Sequence, residues 1–193
     1  IIAYLRLIHQ PNDIVSFSRI VNIPARGIGP TSLNRFLNWQ VAQNQNIIES
    51  LGLVEHIVGL QSKAKQALLK LGKMLEKLQA MVGSHTPKDI IDALLKMTNY
   101  RDYLADGTPQ AEERDANIGS LLSDSQAFND LASFLEEVAL MSSTDQDSDS
   151  QKVTLMTLHA AKGLEFPVVF IVGLEEGLLP HSKVFIGKDD DLE

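Results

Sequence analysis

Residues 142–150, Ser-Ser-Thr-Asp-Gln-Asp-Ser-Asp-Ser, contain no apolar side chain and separate two parts of the chain with different periodicity. A stretch of this composition cannot bury enough surface to offset the entropy of ordering it, so it marks a boundary and not an element. We therefore expect a helical domain over residues 1–144, an acidic linker over 145–151, and a second piece over 152–193.

Ahead of the boundary, apolar residues recur at three- and four-residue spacing, the period of a helix with one buried face. Ile2, Leu5 and Ile8, then Ile14, Phe17 and Ile20, predict two short helices around Pro11-Asn12-Asp13, with Asp13 able to cap the second. After a loop over residues 22–29, Pro30 stands where a helix can begin, and Leu33, Phe36, Leu37 and Val41 give that helix its apolar face. The longest helical run is expected over residues 61–82. Another starts at Thr86-Pro87, capped by Thr86 and buried through Ile90, Leu94 and Met97, and two more are expected over 110–122 and 125–141. No internal repeat is apparent.

Beyond the boundary, residues 153–158 and 167–172 are β-rich and of strand length, joined by a segment long enough for one helical turn. The expected fold class is thus mainly α, followed by a small α/β piece. Two strands cannot bury both faces alone, so that piece reads as part of a larger sheet. The first residues, Ile1-Ile2-Ala3-Tyr4-Leu5, begin inside an apolar pattern, and the last residues stop in an acidic run. Both ends are read as cuts through a longer chain.

At 193 residues and 44% hydrophobic, the chain can bury one good core, and its apolar runs are too short to cross a membrane. The absence of cysteine excludes disulfides and thiolate chemistry and is in keeping with a reducing interior. The net charge of −8 weighs against nucleic acid, but seven of the acids lie in two short runs. Residues 1–108 carry 12 basic and 8 acidic side chains, a net of +4. Charge therefore permits a polyanionic partner without arguing for one. A phosphate-cradling loop needs Gly-x-x-x-x-Gly-Lys-Ser/Thr. Here Gly72-Lys73 is followed by Met74 and Gly187-Lys188 by Asp189, so this chain by itself is not expected to hydrolyse a nucleotide.

From Val153 to His181 the sequence reads Val-Thr-Leu-Met-Thr-Leu-His-Ala-Ala-Lys-Gly-Leu-Glu-Phe-Pro-Val-Val-Phe-Ile-Val-Gly-Leu-Glu-Glu-Gly-Leu-Leu-Pro-His. This stretch closely resembles helicase motif V and the strand that follows it in the UvrD/PcrA/Rep family of superfamily 1. Residues 2–13 and 19–29 resemble the opening of that family's helical domain 2B, with weaker echoes at 98–104, Arg114 and Asn117. The resemblance implies a helical 2B domain with a helix-hairpin-helix-like turn, joined to part of a RecA-like parallel sheet. It implies a parent that uses ATP and Mg2+ to move 3′ to 5′ on single-stranded DNA and to unwind duplex in repair or replication. No cofactor is expected on this segment alone. A P-loop is expected upstream and an arginine-bearing Glu-Glu-Arg-Arg-Leu-like segment downstream.

Within the motif, the resemblance assigns Thr157 and His159 to phosphates of a single strand, and Gly163 and Glu165 to coupling with the nucleotide. Taken alone, Thr-x-His is a capped turn with a structural histidine. Lys162 is equally readable as a ligand contact or as a solvated partner of Glu165. Arg26, Gly27, Ile28, Gly29 and Pro30 resemble a hairpin turn that contacts duplex, in which glycines admit a phosphate to backbone N–H groups at a helix start. Ser32 can add a hydroxyl and Arg26 a charge, whereas Pro30 removes one donor. By itself, Gly-x-Gly between helices is a tight turn. Trp39, Tyr100 and Tyr103 are read as partly buried core aromatics and not as base-stacking platforms. The lysines at 63, 65, 70, 73 and 77 are read as a solvated helix face.

The expected partners are single-stranded and duplex or junction DNA, with repair or replication proteins possible. No membrane is expected, the segment should be monomeric, and the implied location is the cytoplasm, associated with the nucleoid. Two alternatives stay open: a regulatory or protein-docking domain of the helicase, and part of a RecB/AddA-type helicase-nuclease.

Overall fold

Asp13 begins the fold as its position suggests, accepting the Ser16 backbone N–H at 2.9 Å and opening a helix with its carboxylate. The computed structural model describes residues 1–143, 153, 155–158 and 160–175. Contacts divide the chain into two units, Ile1–Asp147 and Ser148–Glu193.

The first unit is helical throughout its described length. The helices are α1 (Ile2–His9), α2 (Ile14–Ile20), α3 (Pro30–Val41), α4 (Ile47–Gly52), α5 (Ser62–Gln79), α6 (Pro87–Thr98), α7 (Tyr100–Leu104), α8 (Pro109–Ser125) and α9 (Leu131–Ser143), with a 3-10 turn at Val54–His56. Tyr4, Leu5, Leu7 and Ile8 bury α1 where it packs on α2, α5 and α9. Helix α5 turns Ala64, Leu68, Leu71, Leu75 and Leu78 inward at three- and four-residue steps and meets α1, α4 and α6. Helix α6 buries Ile90, Ile91, Leu94 and Leu95. A 12-residue helix is marginal alone, and each such side chain contributes about 1.5–3 kcal/mol on burial, so packing and not propensity holds it.

The expected helix starts at Pro30 and Pro87 are found, and Thr86 forms a reciprocal capping box with Asp89. The last helix begins six residues later than its apolar run suggested. Asp130 accepts from the Ser133 backbone N–H and hydroxyl, both at 2.9 Å, and so fixes the start at Leu131. Helices α4 and α7 and the 3-10 turn were not anticipated, being too short to show a period. Val41 does not join the core face of α3; it is 71% exposed, and Phe36, tilted against Phe17 at 5.4 Å, carries that face instead. Met97 is likewise exposed. Trp39 and Tyr100 pack partly buried against the core, while Tyr103 is about half exposed beside Tyr100.

The expected small α/β piece is not shown among the described residues. Among the described residues 153–175 there is no strand, and Leu155, Phe170 and Val172 are more than 85% exposed. A strand is defined by the ladder it makes with a neighbour, and the described residues offer these two runs no such neighbour. The linker expected over 145–151 lies outside the described residues. No helix among the described residues is long and apolar enough to cross a membrane.

Candidate nucleic-acid interface

The loop between α2 and α3 is held from both sides by side chains that bond to backbone. Asn22 grips Ile28, accepting its N–H at 3.1 Å and donating to its carbonyl at 2.5 Å. Ile28 itself is buried and pins the loop to the core. Its neighbours Gly27 and Gly29 are therefore exposed on either side of an anchored residue.

Gly27 has φ +71°, which an L side chain rarely adopts, so the turn requires glycine there. Gly29 is different: its φ is −72°, its backbone is extended, and no atom lies within 4 Å of where a Cβ would stand. It is the N-cap of α3 and offers no side chain to the helix start. The next residue, Pro30, has no N–H. The amides of Thr31 and Ser32 are thus left without a side-chain cap at the positive end of a 12-residue helix. Ser32 is half-buried beside them. A shallow groove continues along α3, lined by Pro30, Thr31, Asn34, Arg35 and Asn38. Such a surface offers hydrogen-bond donors to an anion and no catalytic machinery.

Arg26 does not project from this turn. One guanidinium nitrogen donates to the carbonyls of Ile20 at 2.8 Å, Val21 at 3.2 Å and Pro24 at 3.2 Å. The other donates to the Tyr4 hydroxyl, and the guanidinium carbon sits 5.9 Å from the Tyr4 ring centroid. The Tyr4 hydroxyl in turn donates to the Ile23 carbonyl at 2.5 Å. Burial pushes the Tyr4 phenol up, the Arg26 charge partly opposes this, and the net shift is upward, so Tyr4 stays a donor at neutral pH. Arg26 therefore spends its charge on the C-terminal carbonyls of α2 and shapes the loop from within.

Residues 57–60 repeat the same backbone pattern before α5, a likeness that the sequence hides because only one glycine is shared. Gly59 has φ +74°, Leu60 is buried, Gln61 is an extended N-cap without a side-chain bond, and Ser62 opens the helix. The two turns are linked crosswise. Arg35 of α3 donates to the Gly59 carbonyl, and Lys63 of α5 lies against Gly27. Asn22, Tyr4 and Lys63 were not singled out from the sequence as parts of this site. Tyr4 and Lys63 come to the turn through the packing of α1 and α5, whereas Asn22 lies within the loop itself, six residues from Ile28.

In the second unit, Thr157 opens a single hydrogen-bonded turn. Its hydroxyl accepts from the Ala160 N–H at 3.2 Å and its carbonyl from the Ala161 N–H at 3.0 Å, and the Leu164 N–H then closes on the Ala161 carbonyl. Gly163 ends the turn with φ +82°. Thr157, Lys162, Gly163 and Glu165 are all exposed. His159 lies outside the described residues. Among the described residues, no group of three or more histidine, aspartate or glutamate side chains is placed to hold a metal ion.

Residues 1–193 match the model of the UvrD-like helicase C-terminal domain. The chain is 39% identical to the ATP-dependent DNA helicase PcrA of Bacillus subtilis over 197 aligned residues, covering 95% of this chain and 26% of that protein. It is 34% identical to the ATP-dependent DNA helicase PcrA of Staphylococcus aureus strain Mu50, covering 98% of this chain and 27% of the relative. The corresponding protein of Staphylococcus epidermidis is 33% identical with the same coverage. The chain spans about a quarter of the length of the curated relatives it matches.

Proposed function

The chain belongs to the UvrD-like helicase C-terminal domain family, and from that premise we propose that it is the duplex-contacting and ATP-to-DNA coupling part of an ATP-dependent helicase. The parent reaction is unwinding of duplex DNA with 3′-to-5′ movement along one strand, in repair or replication. Hydrolysis of ATP with Mg2+ belongs to the wider motor, and this segment contributes the turn that couples it to DNA. Repair or replication proteins are the partners in that setting, and the nucleoid-associated cytoplasm is its place.

The observation that carries this reading is the turn over residues 22–29. Asn22 clamps Ile28 so that Gly27 and Gly29 face outward at the uncapped start of α3. Backbone amides at a helix start suit a phosphate oxygen and read no sequence. Ser32 adds a hydroxyl, and Arg26 serves the contact by holding the loop's shape. In the second unit, Thr157 and His159 meet phosphates of the single strand, while Gly163 and Glu165 face the nucleotide, where a carboxylate can accept from a ribose hydroxyl. One short turn touching both ligands couples hydrolysis to stepping.

A fluorescence anisotropy titration of hairpin DNA against the wild-type chain and Gly29→Asp tests the duplex contact. The space at Gly29 is open and its φ is ordinary, so aspartate there caps α3 and leaves the fold intact. Its charge repels the phosphate, and affinity should fall about tenfold or more. Equal binding by both proteins removes the turn from the DNA contact.

A further inference from the structure

Resting on the duplex contact proposed above, we propose that Lys63, supplied by α5 from 36 residues further along the chain, is the cation of that contact. The turn resembles a phosphate grip that carries its own arginine, yet the Arg26 guanidinium is committed to three backbone carbonyls and to Tyr4. A phosphate docked at residues 27–29 would then meet neutral donors alone. Two further basic side chains near the paired turns are engaged with backbone. Arg35 donates to the Gly59 carbonyl. Lys65 bonds to the Glu55 carbonyl at 2.8 Å and pairs with its carboxylate at 3.9 Å.

Lys63 is placed differently. A Cβ built on Gly27 would stand 3.7 Å from Lys63 Cε and 3.9 Å from its Nζ. The ammonium therefore lies against the one residue of the turn that must be glycine. Lys63 is exposed and makes no hydrogen bond or ion pair among the described residues. The turn over residues 57–60 repeats the backbone pattern of the first, and Lys63 stands in the opening turn of the helix that follows it. This unpaired ammonium stands beside the turn that is proposed to hold the phosphate.

The test measures the affinity of the chain for hairpin DNA at several salt concentrations for wild type, Lys63→Ala, Lys63→Arg and Gly29→Asp. Each neutralised phosphate contributes about 0.9 to the slope of log affinity against log salt. Lys63→Ala should lower the magnitude of that slope by about one and weaken binding several-fold at low salt, with Lys63→Arg keeping the wild-type slope. Circular dichroism melts should stay unchanged, since the side chain is exposed and unpaired. A wild-type slope for Lys63→Ala, alongside weakened binding by Gly29→Asp, overturns the role of Lys63 and leaves the turn standing. Unchanged binding by Gly29→Asp overturns the turn as the duplex contact and Lys63 with it.

Discussion

Gly72 lies so close to Leu51 that a Cβ built on it would come within 2.7 Å of the Leu51 Cβ. Helices α4 and α5 cross at this point, and Leu51 is fully buried there. Alanine favours a helix interior over glycine by about 1 kcal/mol. Overpacking a filled core costs about 1–3 kcal/mol. The contact is to a Cβ and not to a flexible side-chain end, so the steric cost should win. Gly72→Ala is expected to lower the melting temperature by a few degrees, and Gly119→Ala, in α8 with open space around it, to raise it slightly. Equal shifts in one direction would show that the crossing relaxes freely.

The bond between Arg26 and Tyr4 is expected to make the two side chains energetically dependent on each other. Removing Arg26 leaves the carbonyls of Ile20, Val21 and Pro24 without this donor, at a cost of about 1–3 kcal/mol. Tyr4→Phe removes the acceptor for the guanidinium and the donor to Ile23. A urea-denaturation cycle of Tyr4→Phe, Arg26→Ala and the double variant should give a coupling of about 0.5–3 kcal/mol. Arg26→Ala should also leave the salt slope of DNA binding at its wild-type value, because this charge faces inward. Additive losses, or a reduced slope, would return Arg26 to the surface.

These two relationships mark what could and could not be read from the sequence. Caps and helix starts were legible at Asp13, Pro30 and Thr86 because each is set by a side chain within three residues of the bond it makes. The start of α9 was missed although Asp130 and Ser133 are as local, since the apolar run around it extends further back than the helix. The glycine turn was legible as a turn, but its charge was assigned to the adjacent Arg26. Which way that guanidinium faces is decided by Tyr4, 22 residues earlier, and the neighbour of Gly27 is decided by the packing of α5. The β-rich runs after the boundary were read from composition, run length and resemblance. Composition states what a segment favours, and the ladder that would realise it depends on a neighbour that the described residues do not supply.

Acid should weaken the start of α6 through Asp89. The Thr86 hydroxyl, then the Thr86 backbone N–H, hold the Asp89 carboxyl below its ordinary value. A depressed folded value means the contribution to stability is present above the ordinary carboxylate value of 3.8 and is lost as pH falls through the lower folded value. Melting temperature measured from pH 6 to pH 3 should therefore drop at the acid end. Asp89→Asn, which cannot titrate, should make that drop shallower while lowering stability at pH 6. Parallel curves for the two proteins would mean that the capping carboxylate is not differentially protonated on unfolding.

Gly163 separates a role in folding from a role in coupling. Its φ of +82° strains any L residue by about 1–2 kcal/mol, yet nothing lies within 4 Å of a Cβ placed there. The turn it ends is a local one, opened by Thr157, and its described residues are exposed except for the half-buried Ala161. Gly163→Ala should therefore leave the melting temperature of the helical unit unchanged, because no described residue of this turn belongs to the buried core. Grafted into one of the full-length helicases that the chain resembles, the same change should behave differently. There the turn is proposed to meet DNA and nucleotide together, and distorting it should reduce DNA-stimulated ATP hydrolysis more than hydrolysis without DNA. A uniform loss in both assays would point to general damage to the motor, and no loss in either would remove this turn from the coupling between strand and nucleotide.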